Sequence, residues 1–196
     1  MRAILILLLG LFTFPARAHQ PREGRIYGSF GPYLLRTIPE KHGFDSALTS
    51  GVGVTVNGDV DQNGGLEISV FFLNKLVSLE QDSHVITQIS DRVFITSGYR
   101  HWFLPNLGVG LGFFSSYLMG SPKTLQSDFA TSPPKTSAGD TTEYGIELSV
   151  QVEPWQGESF TPLVDFRYAR SLTDKPNEDG DHLGVYVAAK FFVQGK

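Results

Sequence analysis

Apolar and polar residues alternate one by one through most of this chain. Between 142 and 152, Tyr144, Ile146, Leu148, Val150 and Val152 are apolar, while Glu143, Gly145, Glu147, Ser149 and Gln151 fall between them. A period of two sends these two sets to opposite faces of a strand. The pattern recurs about eight times, and no segment sustains a helical period.

The expected strands are about 25–35, 48–56, 66–73, about 87–103, 107–117, 142–152, 160–172 and 183–193. The second sets Val52, Val54 and Val56 against Gly51, Gly53 and Thr55. In the fifth, Leu107, Val109, Leu111 and Phe113 alternate with Gly108, Gly110 and Gly112. Asn57-Gly58, Pro105-Asn106 and a turn at 154–159 supply short connections after strands two, four and six. The connections after strands one, three, five and seven read as longer polar loops. The longest, 119–140, is rich in Ser, Thr and Pro.

The start of the chain says where these strands are sent. Arg2 precedes an apolar run from Ala3 to Phe14, followed by Pro15-Ala16-Arg17-Ala18. A basic start, a short apolar run and an Ala-x-Ala site predict a secretory signal over 1–18, cleaved after Ala18. Residues 19–196 then form one domain of a size suited to a single core. With no Cys, disulfides and thiolate metal sites are excluded. The formal charge of −4 offers no basic face for nucleic acid.

No apolar run after residue 18 approaches the ~20 residues of a spanning helix, so membrane crossing would be by strands. The expected strands reach the ~9–11 residues that a tilted span needs. Short turns at one end with longer loops at the other is the asymmetry of outer-membrane barrels. Trp102, Phe103, Trp155, Phe160 and Phe192 gather near the short-turn end, where a membrane-interface girdle would lie. The predicted fold is therefore all-β, an eight-stranded antiparallel up-and-down transmembrane β-barrel. A soluble periplasmic barrel, with the same apolar faces around a ligand cavity, is the alternative reading.

In this pattern the chain resembles the OmpA-like and OmpW-like group of small Gram-negative outer-membrane barrels. The resemblance implies an outer-membrane location, contact with outer-membrane lipid and lipopolysaccharide, and insertion by the barrel assembly machinery. It implies a structural or surface-interaction role, with the 119–140 loop as the candidate contact for an extracellular partner. The OmpW-like likeness also implies a narrow channel for small apolar molecules as an alternative. The chain departs from such barrels at its end, Phe191-Phe192-Val193-Gln194-Gly195-Lys196, where a terminal aromatic is usual.

A barrel of eight strands is just wide enough for side chains to fill. The alternation sends Glu67, Arg92, Glu143, Glu147, Asp165, Arg167 and Lys190 inward. Folding the hairpins about their expected turn centres sets Glu147 opposite Arg167, Asp165 beside Lys190 and Glu67 near Arg92. The expected interior is thus a charge network of opposite-sign pairs.

Three motifs invite other chemistry. Asp59-Val60-Asp61-Gln62-Asn63-Gly64 matches the front half of a calcium loop, but Val70 stands where a bidentate Glu is required. Asp, Asn and Gly also make ordinary hairpin turns. A second acidic group, Asp174, Glu178, Asp179 and Asp181, lies in the last loop. Finally, Phe166-Arg167-Tyr168-Ala169-Arg170-Ser171 resembles the active region of lipid A 3-O-deacylases, themselves eight-stranded barrels. Ala169 occupies the position of their basic His, and a Ser without a base is a poor nucleophile. His182 is the one His placed to approach Ser171. The expectation is no enzyme, no cofactor and no metal.

Overall fold

The computed structural model describes residues 21–39, 43–81, 83–129, 142–155, 157, 159–173 and 180–194. The signal segment 1–18 with its cleavage site, residues 130–140 of the 119–140 loop, and Asp174, Glu178 and Asp179 lie outside the described residues.

Among the described residues ten strands form in chain order: β1 Ile26–Pro39, β2 Phe44–Ser46, β3 Thr49–Asp59, β4 Gly64–Gln81, β5 His84–Leu104, β6 Leu107–Leu118, β7 Lys123–Ser127, β8 Glu143–Val152, β9 Thr161–Ser171 and β10 Gly180–Gln194. Eight of them close a ring, β1-β3-β4-β5-β6-β8-β9-β10, and β10 pairs back onto β1. All pairings are antiparallel. β2 and β7 are short additions at the ring's margin, so the expected barrel of eight is present with two extra strands.

Closure has a measurable stagger. Stepping sideways across the pairs from Thr37 passes His182, Ala169, Glu147, Gly112, Gly98, Glu67 and Asn57, and re-enters β1 at Tyr27. The return is displaced by ten residues along β1. Eight strands with this stagger tilt about 40° to the barrel axis.

Both chain ends of the barrel and the turns at 60–63, 105–106 and 153–160 lie at one end. At the opposite end the sequence reading is corrected. The expected loop between strands three and four does not form; β4 and β5 continue as one hairpin to Gln81 and His84. Ser83 turns the chain with a φ of 63°, the left-handed conformation that tight hairpins use. Phe44–Ser46 pairs outside β4, and Lys123–Ser127 outside β5. A four-stranded sheet, β2-β4-β5-β7, thereby rises beyond the ring.

The orientation is inverted relative to a soluble domain. Leu111 and Phe113 are 65% and 71% exposed, whereas Arg100 and Asp165 are 1% and 0% exposed. The outward face carries Val52, Val54, Val56, Leu66, Ile68, Leu148 and Phe166, all exposed. So large a contiguous apolar surface requires an apolar surrounding.

Candidate functional site

The lumen is lined by buried polar, charged and aromatic side chains. Its centre is built by β4, β5, β8 and β9, whose inward positions are Glu67, Arg100, Glu147 with Ser149, and Asp165 with Arg167. Arg100 and Arg167 stand on the same sideways row, with Gly110 and Ser149 between them. Gly110 has no side chain, which leaves room for the Arg100 guanidinium; a Cβ there would lie 2.5 Å from Ser149 Oγ.

The two arginines share three carboxylates. Arg100 Nε donates to Glu67 Oε2 at 2.8 Å, and its Nη2 donates to Asp165 Oδ2 at 2.9 Å and Ser149 Oγ at 3.1 Å. Arg167 reaches all three acids: Glu67 Oε1 at 2.5 Å, Glu147 Oε1 at 2.9 Å and Asp165 Oδ2 at 2.7 Å. Its remaining donor capacity meets Thr96 Oγ1 at 3.1 Å, and its plane lies 4.9 Å from the centre of the Phe71 ring. Glu67 also accepts from Asn57 and Ser69. Buried charges are tolerable only with such pairing. The cluster holds three acids against two bases.

An aromatic layer adjoins it. Tyr33 stacks on Phe71 at 4.1 Å, with Tyr186 edge-on at 5.3 Å. Nearer the β2-β4-β5-β7 end, Phe94 and Phe114 stack at 4.7 Å. His182 stands edge-on to both, receiving or donating at Thr37 Oγ1 (3.1 Å) and Glu143 Oε1 (2.8 Å). At the turn end, Lys190 contacts Glu153 and lies over the Tyr27 and Trp102 rings at 4.8 and 5.2 Å. Cavities of about 10 Å³ flank Arg100 on two sides. Each has space on the scale of a single water.

Of the three expected pairs, Glu147 and Arg167 are in contact. The other two sets of partners are rearranged. The β4–β5 turn lies at 82–83 rather than near 79–80, so Glu67 faces Gly98, and Arg100 reaches it in place of Arg92. Arg92 is buried nearer the opposite end, with Nε bonded to Ser90 Oγ. The β9–β10 register places Lys190 opposite Thr161 and Tyr186 opposite Asp165, so Lys190 meets Glu153 instead. Arg100, Glu153 and His182 were missed as lumen residues. The parity that sends Arg92 inward also sends Arg100 inward, and that signal was available.

Among the aromatics, Phe103, Trp155, Phe160 and Phe192 are exposed. Trp102 is half-buried instead. It shares the inward parity of Arg100, and its ring covers Lys190 within the lumen.

The other motifs resolve into local structure. Asn57-Gly58 continues β3, and the turn falls at 60–63. Asp61 Oδ1 accepts the Asn63 amide at 2.6 Å and Oδ2 accepts the Tyr99 hydroxyl at 2.9 Å. Those bonds hold its carboxyl below the usual range, the Asn63 amide foremost. Asp59 Oδ2 accepts the Arg22 amide at 2.9 Å. The acidic oxygens thus cap the turn itself, and the described residues contain no cluster suited to a metal. Ser171 Oγ has no hydrogen-bond partner among the described residues, while both His182 nitrogens are occupied by Thr37 and Glu143. Among the described residues no base contacts Ser171.

No family model matches the chain, and no curated protein matches it. Solved structures do. The outer membrane protein OprG of Pseudomonas aeruginosa superposes with a TM-score of 0.54 at 12% identity, over 91% of this chain and 100% of that one. Ail, the attachment invasion locus protein of Yersinia pestis, gives 0.48 at 13% identity, over 87% of this chain and 99% of that one. The outer membrane protein AlkL gives 0.44 at 14%, over 93% and 96%. The closed ring, its stagger and the OprG superposition together show that this chain has the fold of the small outer-membrane β-barrels.

Proposed function

We propose that the protein is an integral outer-membrane barrel with a structural or surface-interaction role, its lumen closed by its own side chains. The observation that carries this reading is the pairing of an exposed apolar outer surface with a lumen occupied by the Arg100–Arg167 cluster. Lipid would surround the first, and the second would stop passage of solutes wider than water. After export by the 1–18 signal and insertion by the assembly machinery, the turn end would face the periplasm. The β2-β4-β5-β7 sheet and the 119–140 segment would then stand outside the cell, where a partner could meet them. β7 fits such a role, since all five of its residues are exposed.

The channel reading is separated from this one by conductance. Purified protein added to planar bilayers is expected to insert without discrete conductance steps. Reproducible single-channel steps from the wild-type protein would overturn the closed-lumen reading and favour a channel.

A further inference from the structure

The charges of the central cluster do not balance. Glu67, Glu147 and Asp165 bring three acids to Arg100 and Arg167, and all five residues are more than nine-tenths buried. Among the described residues no further cation pairs with any of the three acids. Three ionised carboxylates would leave one negative charge uncompensated inside the closed lumen. A buried carboxylate without a counter-charge takes up a proton instead.

The hydrogen bonds select the acid that takes it. Glu67 accepts from Arg100, Arg167, Asn57 and Ser69. Asp165 accepts from Arg100 on both oxygens and from Arg167. Glu147 accepts from Arg167 Nη1 at Oε1 only, and its buried Oε2 has no hydrogen-bond partner. Tyr33 on β1 and Tyr186 on β10 border the same cluster with their phenols.

Oε2 also has a place to direct a proton. Sideways from Glu147 stand Gly112 and Gly98, and only then Glu67, so two positions of this inward row carry no side chain. They leave a cavity of about 10 Å³, bordered by Glu147, Glu67, Thr96 and Ser149 and sized for a single water. Ser149 Oγ accepts from Arg100 and Thr96 Oγ1 from Arg167, so each hydroxyl keeps its own proton to donate. The cavity is polar on several sides, as a buried water requires.

From the charge count, the orphaned oxygen and this cavity we infer that Glu147 is a neutral carboxylic acid whose Oε2–H donates to one buried water. The plug of the lumen is then balanced, two carboxylates against two guanidiniums, and offers no net charge to draw ions into it. The inference rests on the closed lumen of the reading above, because bulk water around Glu147 would leave its carboxylate ionised.

The test is infrared spectroscopy of the purified full-length protein in detergent at neutral pH, where exposed carboxyls are ionised. The wild type is expected to show the carbonyl stretch of a protonated carboxyl group, shifted after refolding in D2O. Glu147→Gln is expected to lose that band while keeping the gel-mobility shift on boiling that marks a folded barrel. Absence of the band in the wild type, or its persistence in Glu147→Gln, would overturn the assignment. Urea unfolding gives a second reading. Glu147→Gln keeps an acceptor for Arg167 and a donor for the water, so its midpoint is expected to match the wild type. Glu67→Gln removes one charge from a balanced set and is expected to unfold at a clearly lower urea concentration. Equal losses in the two variants would overturn the neutral Glu147. A missing band in a protein that is silent in planar bilayers defeats the proton alone, whereas conductance steps defeat the closed lumen.

Discussion

Replacing Arg167 by Met is expected to destabilise the barrel by about 3–5 kcal/mol, the usual cost of breaking a buried ion network by removing one partner. Among the described residues, only Arg167 is a cation that touches Glu67, Glu147 and Asp165 together. Without it, three carboxylates share a low-dielectric space with Arg100 alone. Ser149→Ala removes a single hydrogen bond from Arg100 and is expected to cost about 0.5–1.5 kcal/mol. Glu147→Leu falls between these, because it removes the acid with the fewest partners and brings the remaining charges to two against two. Urea unfolding of the detergent-solubilised barrel would rank the three. Equal effects for Arg167→Met and Ser149→Ala would remove the network from the stability account.

The second large effect concerns the outer wall. Leu148 is about half exposed near the middle of β8, with Leu111 and Tyr168 beside it. In water, an exposed Leu→Arg change is worth within about ±0.5 kcal/mol. Facing the middle of a bilayer, it costs about 2–4 kcal/mol. Leu148→Arg is therefore expected to impair insertion and lower stability in lipid by that larger amount. Refolding yield into lipid vesicles, compared with the wild type, measures it. An unaffected yield would mean that this wall does not face lipid.

The alternation along the chain made the ring, its eight members and their inward parity legible, because a side-chain period of two assigns faces wherever one face is buried. Turn centres were less legible, and they decide which charges meet. Moving the β4–β5 turn by three residues shifts each cross-strand partner by six, which exchanges Arg92 for Gly98 opposite Glu67. The cause is physical. Beyond the apolar band the outward face of a strand need not be apolar, so Asn74, Ser78 and Glu80 read as loop although the hairpin continues there. Inward Lys75, Val77 and Leu79 hold the same alternation, now seen from inside only. Trp102 shows the opposite error: its position near a turn suggested the interface, while its parity placed it over Lys190. The three-way sharing of Arg167 could not be read from pairwise hairpin folding, since Glu67 and Arg167 meet across the lumen rather than within one hairpin.

The measurement that bears most directly on the membrane barrel is the gel mobility of the outer-membrane fraction, unboiled and boiled in SDS. A band in that fraction that migrates differently after boiling is expected, since a closed ring with every edge paired resists detergent until heated. A band confined to the soluble periplasmic fraction, with no shift on boiling, would contradict the account and turn the apolar wall into a surface in need of some other partner.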